Sequence, residues 1–327
     1  YPDTATAFCT MQEWVNIERA ALISAGEILP LAEGDTVPLV YVERQENHIA
    51  GPLEFDTYQP NSDLFVVNAD IGAGGAISVT DPVANRQSLL DNCAGAADRT
   101  VVDVSAPDVN PDGNMVVFSM RTSAAAPRQV WMVDLAGTTC TQVTATEADV
   151  GGIKIHNFDP AWSRNGEWII FASTRGTADG APTPTLSRQL FLPQSDIFRI
   201  SPAGAELERM TFLTGSEVSP QMMREGRVNM TTEKVAKGFY QLAGRRLNWD
   251  LTDYHPLLAQ RSESVFALPG EPEDTLPSVG YGQATEIRES SNGDFIVVFS
   301  DPGARAGAGT LGIFNRSVGP FEAGRGT

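Results

Sequence analysis

Three histidines (His48, His156 and His255) and three cysteines (Cys9, Cys93 and Cys140) are the whole supply of imidazole and thiol in this 327-residue chain. None of the spacings that such groups use for catalysis or metal binding occurs: there is no GxSxG elbow, no HExxH pair, no CxxC and no CxxCH. His156, with Asp159 three residues on, could line a ligand pocket; a histidine hydrogen-bonded inside its own sheet is the favoured alternative. Asp253-Tyr254-His255 sets a carboxylate, a phenol and an imidazole side by side and is a candidate contact surface. Asp108-x-Asn110-x-Asp112-Gly113 imitates the start of a calcium loop, but Ser119 stands where the bidentate glutamate belongs, so calcium is only a weak candidate here. Gly307-x-Gly309-x-x-Gly312 leads into the apolar Leu311–Phe314 rather than a helix, so it offers no helix N-terminus to a phosphate and reads as a loop. The chain therefore presents candidate binding residues, no catalytic set, and no cofactor beyond that calcium candidate.

The elements that must position these residues repeat. His156–Arg175 (HNFDPAWSRNGEWIIFASTR) reads as a strand, a tight polar turn and an apolar strand, and the same order recurs at 104–121, more loosely at 218–232 and faintly at 285–300. Aligned on the turn glycines Gly113, Gly166, Gly226 and Gly293, the copies place Pro107, Pro160 and Pro220 six residues earlier, with Ile287 the exception. Glycine, preceded by Asp112, Asn165 or Asn292, suits a hairpin that needs positive φ. The runs at 115–118, 168–171 and 295–299 are continuously apolar, the pattern of a strand covered on both faces. Further strands follow at 129–135, 140–144, 196–200 and 206–211, which makes four per repeat.

Asp-Pro-Ala-Trp-Ser-x-Asn-Gly, an apolar strand ending in Ser-Thr-Arg, then Ser-Asp-Ile-Phe-x-Ile and Arg-Met-Thr resembles the repeat of the TolB-type, WD40-like (PD40) β-propellers. The match is good over 160–211 and 107–144 and fair over 220–258. The resemblance implies an all-β propeller of four-stranded blades, acting in an envelope assembly. Residues 247–262 and 310–320 more loosely resemble the propeller part of proteins related to the hydrazine synthase alpha subunit, a redox family. That likeness implies, as the alternative, a subunit of an exported redox complex whose cofactor lies outside these residues.

About five blades are expected, near 37–100, 101–150, 151–214, 215–262 and 280–327, as part of a six- or seven-bladed ring completed beyond Thr327 or by another subunit. The first blade, with strands at 39–44 and 63–68, lacks an opening strand, which the C-terminal end is expected to supply. Residues 1–36 form an N-terminal segment in which 10–29 show helical apolar spacing, read as a cap on the propeller or an arm to a partner. Cys93–Cys140 is the favoured disulfide; Cys9–Cys93 and three free thiols remain open.

A net charge of −18, with only three lysines among 23 basic residues, disfavours nucleic acid and anionic membrane surfaces as partners. No run is long enough for a membrane-spanning helix, and the start at Tyr1 suggests a removed leader. The sequence thus predicts a non-catalytic, periplasmic or extracellular bacterial propeller that binds other proteins through its long loops.

Overall fold

The computed structural model describes residues 31–45, 50–188, 190–236, 239–258, 282–290, 293–301 and 304–315. The expected helix at 10–29, His48, Cys9 and the chain beyond 315 lie outside the described residues. Two compact units are distinguished: a smaller one of residues 1–39 and 67–87, and a larger one of residues 40–66 and 88–327.

The described residues form an all-β protein. Strands β1 (Thr36–Glu43), β2 (Asp63–Ile71), β3 (Ile77–Ser78) and β4 (Gln87–Ser88) make a first sheet in the order β1-β2-β3, with β4 also on β2. A second sheet runs β5 (Asp103–Val109), β6 (Met115–Arg121), β7 (Gln129–Asp134), β8 (Cys140–Gln142). A third runs β9 (Asn157–Trp162), β10 (Ile169–Ser173), β11 (Asp196–Ile200), β12 (Glu208–Arg209). The last seven strands share one sheet: β13 (Glu217–Met222), β14 (Val228–Ala236), β15 (Phe239–Leu247), β16 (His255–Leu258), β17 (Gln283–Glu289), β18 (Asp294–Ser300) and β19 (Thr310–Asn315). They divide into two antiparallel groups joined by one parallel pairing, Leu242↔Gln283 between β15 and β17.

Within the larger unit, successive sheets pack face to face, and the continuous apolar runs are the reason. Strand residues point alternately to the two faces. Val116 and Phe118 of β6 therefore enter a core with Leu64, Leu89 and Val104, while Val117 enters the next core with Ile169, Phe171 and Phe198. Ile170 and Ala172 of β10 meet Val218, Val228 and Met230 of the following sheet. Phe295 and Val297 of β18 pack with Ala284, Leu258 and Met223. β6 and β10 are thus buried on both faces, as their sequences predict; β18 is not, because its burial alternates, with Phe295 and Val297 buried and Ile296 and Val298 only partly covered. Cys93 and Cys140 are joined in a disulfide.

His255 opens β16, which pairs with β15 at Arg246↔His255. The strand that the C-terminal end is expected to supply to the first sheet falls outside the described residues; among those residues the Ala306 amide donates to the Ala50 carbonyl.

Candidate functional site

The first strand of each of the last four repeats carries the same irregularity. In β5 the ladder to β6 jumps between Ser105 and Asp108, so Ala106 and Pro107 stand opposite Phe118 alone. Asp159-Pro160 in β9, Ser219-Pro220 in β13 and Glu286-Ile287 in β17 repeat the two-against-one arrangement. These are β-bulges, and the first residue of each is left-handed: φ is 50° at Ala106, 50° at Asp159, 51° at Ser219 and 52° at Glu286. Proline fits the second position because a bulge interrupts the ladder where proline has no N–H to give. Ile287, the exception in the sequence alignment, obeys the same geometry.

The four bulges converge on one water-open cavity of ≈ 350 Å³ in the larger unit. Ala106, Asp159, Ser219 and Glu286 all line it, with Arg44, Glu54 and Arg288 among the charged groups around them. Ser219 ties two bulges together: its amide and hydroxyl donate to Asp159 Oδ2 at 3.1 and 3.2 Å, and its Oγ lies 3.4 Å from Glu286 Oε1. Enclosure by the sheets, then the nearby Glu286 carboxylate, push the Asp159 carboxyl up to about 6. Arg288 donates to Asp108 Oδ1 at 3.1 Å and Gln221 Oε1 at 2.8 Å, while Asp108 Oδ2 accepts the Trp162 amide at 2.8 Å. Asn110 Oδ1 accepts the amides of Asn114 and Met115. The calcium-like stretch therefore spends its first two oxygen ligands on packing and on its own turn, and among the described residues no group of His, Cys, Asp and Glu is gathered as a metal site.

The floor of this mouth is built from residues 50–59, which connect β1 to β2. Leu53 and Phe55 are buried in the same core as Phe158, Val218 and Met230, and the Phe55 and Phe158 rings lie 4.4 Å apart. Two buried arginines fix the segment. Arg128 forms a fork on Asp103, at 3.2 and 2.6 Å, and donates to the carbonyls of Phe55 and Thr57. Arg121 donates to the carbonyl of Asp56 and to its Oδ1. A fully enclosed Arg–Asp pair is tolerable only because its remaining donors are taken by carbonyls.

His156 is buried and does not line the mouth. Its Nδ1 accepts the Arg128 amide at 3.1 Å, which leaves the proton on Nε2, 3.3 Å from Asp56 Oδ1. Burial, offset in part by Asp56, holds its pKa down at about 3, so the ring is neutral. The pair read from the sequence thus separates: Asp159 faces the mouth and His156 braces the segment beneath it. The Asp253–His255 trio also separates. Tyr254 turns inward and donates to Glu217 Oε1 at 2.5 Å, while His255 stays exposed with its Nδ1 3.0 Å from Asp253 Oδ1. Glu217 is fully buried, and that burial pushes its carboxyl up to about 7. Ser219, Glu286, Arg288 and Glu217 were not singled out in the sequence. A signal for the first two existed, because they and Asp159 occupy the one position before the aligned Pro/Ile that is polar in three repeats.

No family model matches the chain, and no curated protein does. Solved structures do. TolB from Acinetobacter baumannii superposes with a TM-score of 0.52 at 11% identity, over 86% of this chain and 51% of that one. Kuenenia stuttgartiensis hydrazine synthase gives 0.58 at 12% identity, over 87% of this chain and 38% of that one. A putative TolB from Agrobacterium tumefaciens gives 0.48 at 13% identity, over 88% and 87%. The fold is a TolB-like β-propeller. The chain spans about half the length of the first of these structures and less of the second.

Proposed function

We propose that this chain is a non-catalytic, exported propeller subunit that holds another protein of an envelope or extracellular bacterial assembly at the mouth formed by its four bulges. The observation that supports this reading is the mouth itself. It is open to water, carries both signs of charge on Arg44, Arg288, Asp159 and Glu286, and is framed by strained backbone that the sheets hold in place. Left-handed non-glycine residues are kept where surrounding structure over-determines them, and such residues gather at binding sites. A mouth of mixed sign suits a polypeptide segment better than a uniformly anionic polymer, which the net charge of −18 would also repel.

The test is isolation of the native assembly with wild-type chain and with the double charge reversal Arg44→Glu, Glu286→Lys, both checked for an unchanged circular dichroism spectrum. A partner protein that co-purifies with the wild type and is lost from the variant supports the reading. A partner retained equally by both removes it from the mouth. A Soret band in the wild-type assembly would instead favour the alternative, a propeller subunit of an exported redox complex whose cofactor is held elsewhere. Localisation is tested in the same material by fractionation, with the chain expected outside the cytoplasm.

A further inference from the structure

A second cleft, sharing no residue with the mouth, lies in the larger unit where the β14–β15 hairpin overruns β13. Its volume is ≈ 520 Å³, and Arg188, Leu213, Glu233, Val235, Arg245 and Tyr254 are among its walls. The pairing of β13 with β14 stops at Glu217↔Thr232, followed by one more bond from the Glu233 amide to the Ser216 carbonyl. β14 nonetheless continues to Ala236. Backbone groups alternate sides along a strand, so the N–H and C=O of Val235 point the same way as those of Glu233, and among the described residues no strand pairs with them there.

The side chains around this open edge are unusual for so acidic a chain. Arg245 lies over the Tyr254 ring, 5.5 Å from its centroid, and its buried Nε has no hydrogen-bond partner. Arg188 stands exposed on the facing wall, placed there by the bond from its amide to the Thr214 carbonyl. Glu233 is 94% buried, counting its 6% relative exposure; Oε2 accepts the Ser216 amide at 3.0 Å, but Oε1 has no partner. Leu213 and Val235 leave apolar surface at the cleft, 39% and 37% exposed.

We propose that this cleft binds the C-terminal segment of a partner polypeptide as a short strand added to β14 at Val235. The terminal carboxylate sits on Arg245 and Arg188, a main-chain N–H reaches Glu233 Oε1, and an apolar side chain covers Leu213. The guanidinium fork matches a carboxylate in two parallel hydrogen bonds, and stacking on tyrosine holds it ready at little entropic cost. Strand addition supplies sequence-independent hydrogen bonds to whatever enters. A chain end fits better than a passing strand, because β14 offers only the Val235 pair before it ends at Ala236.

The test uses a degenerate pool of hexapeptides passed over the immobilised intact chain, once with free C-terminal carboxylates and once with the same sequences amidated, the retained species being read by mass spectrometry. Free-acid peptides should be retained, enriched in apolar residues near the terminus, and amidated ones should not. Arg245→Met should lower retention about tenfold or more, the loss expected for one charge-assisted hydrogen-bonded pair. Arg188→Ala, at an exposed position that cannot unfold the chain, should lower it by a smaller factor. Retention of the free-acid pool that neither variant changes, or no retention above that of Arg245→Met, overturns the site. Equal retention of amidated peptides rich in Asp or Glu overturns the assignment of a terminus, showing a side-chain carboxylate in its place.

Discussion

The sheets β5–β8 and β9–β12 are self-contained in their ladders, each with four strands paired only with one another, whereas β13–β19 run together as seven. Both regions carry the same turn glycine and the same bulge, so neither feature keeps blades apart. The difference lies in strand length and lateral bulk. β14 and β15 are nine residues each against five to seven for β6, β7, β10 and β11. The overrun brings β15 to β17, and Gly244 of β15 makes room: a Cβ there would lie 2.7 Å from Ile287 Cδ1 and 3.1 Å from Leu258 Cβ. Ile287 stands where the other repeats have proline. Blade independence in this chain is thus a matter of what each strand leaves room for beside it.

The strongest way to break the comparison is in the self-contained region. Phe171→Ala empties a site shared by two sheets, where Phe171 is 1% exposed beside Phe198, and should cost ~3–5 kcal/mol in urea unfolding. A loss under ~1 kcal/mol would mean that the double-sided burial of β10 is misread. The next effect concerns charge. Glu217, at the head of the merged sheet, has its carboxyl raised from 4.5 to about 7, so folding favours its protonated form. That contribution is present below the unfolded value and is lost as pH rises through about 7. His156, before β9, runs the other way: lowered from 6.5 to about 3, it stabilises the fold above 6.5 and loses that contribution as pH falls toward 3. Glu217→Gln should therefore recover roughly 2–3 kcal/mol at pH 7.5 and nothing near pH 4, measured as the difference between the two pH values. An equal effect at both would show that burial does not control this carboxyl.

Gly244→Ala should cost ~1–3 kcal/mol by overpacking and should also shift the crossover from β15 to β17, seen as faster amide exchange at Leu242 and Gln283. No change in either would mean the two groups of strands are not coupled there. The smallest effect is at a bulge. Ala106→Gly relieves a left-handed alanine and should gain up to about 1 kcal/mol, and a loss greater than that would deny the shared geometry of the four bulges.

The sequence made the repeat legible because turns and doubly covered strands are local: Gly113, Gly166, Gly226 and Gly293 all have positive φ, and Phe118 and Phe171 enter successive cores. The equivalence of Pro107, Pro160 and Pro220 was readable, but the left-handed residue before each was not, since Ala106 and Ser219 have no marked preference for that region. The seat of Phe55 among residues of distant sheets was hidden because residues 50–59 belong to the connection between β1 and β2 and to no copy of the repeat. Glu217 gave no sign of being neutral, because burial and the Tyr254 hydroxyl that reaches it exist only after β13 and β16 have met β14 and β15.

The segment that floors the mouth carries a consequence for the order of assembly. Residues 55–57 are made early, yet the arginines that anchor them lie 65 to 73 residues downstream, on β6 and at the start of β7. Closing loops of that span is entropically unfavourable until the later strands are in place. The floor can therefore be anchored only after Arg121 and Arg128 have been made. The floor can thus be fixed before the mouth it closes is complete, because the bulges at Asp159, Ser219 and Glu286 lie on β9, β13 and β17, all made after Arg128.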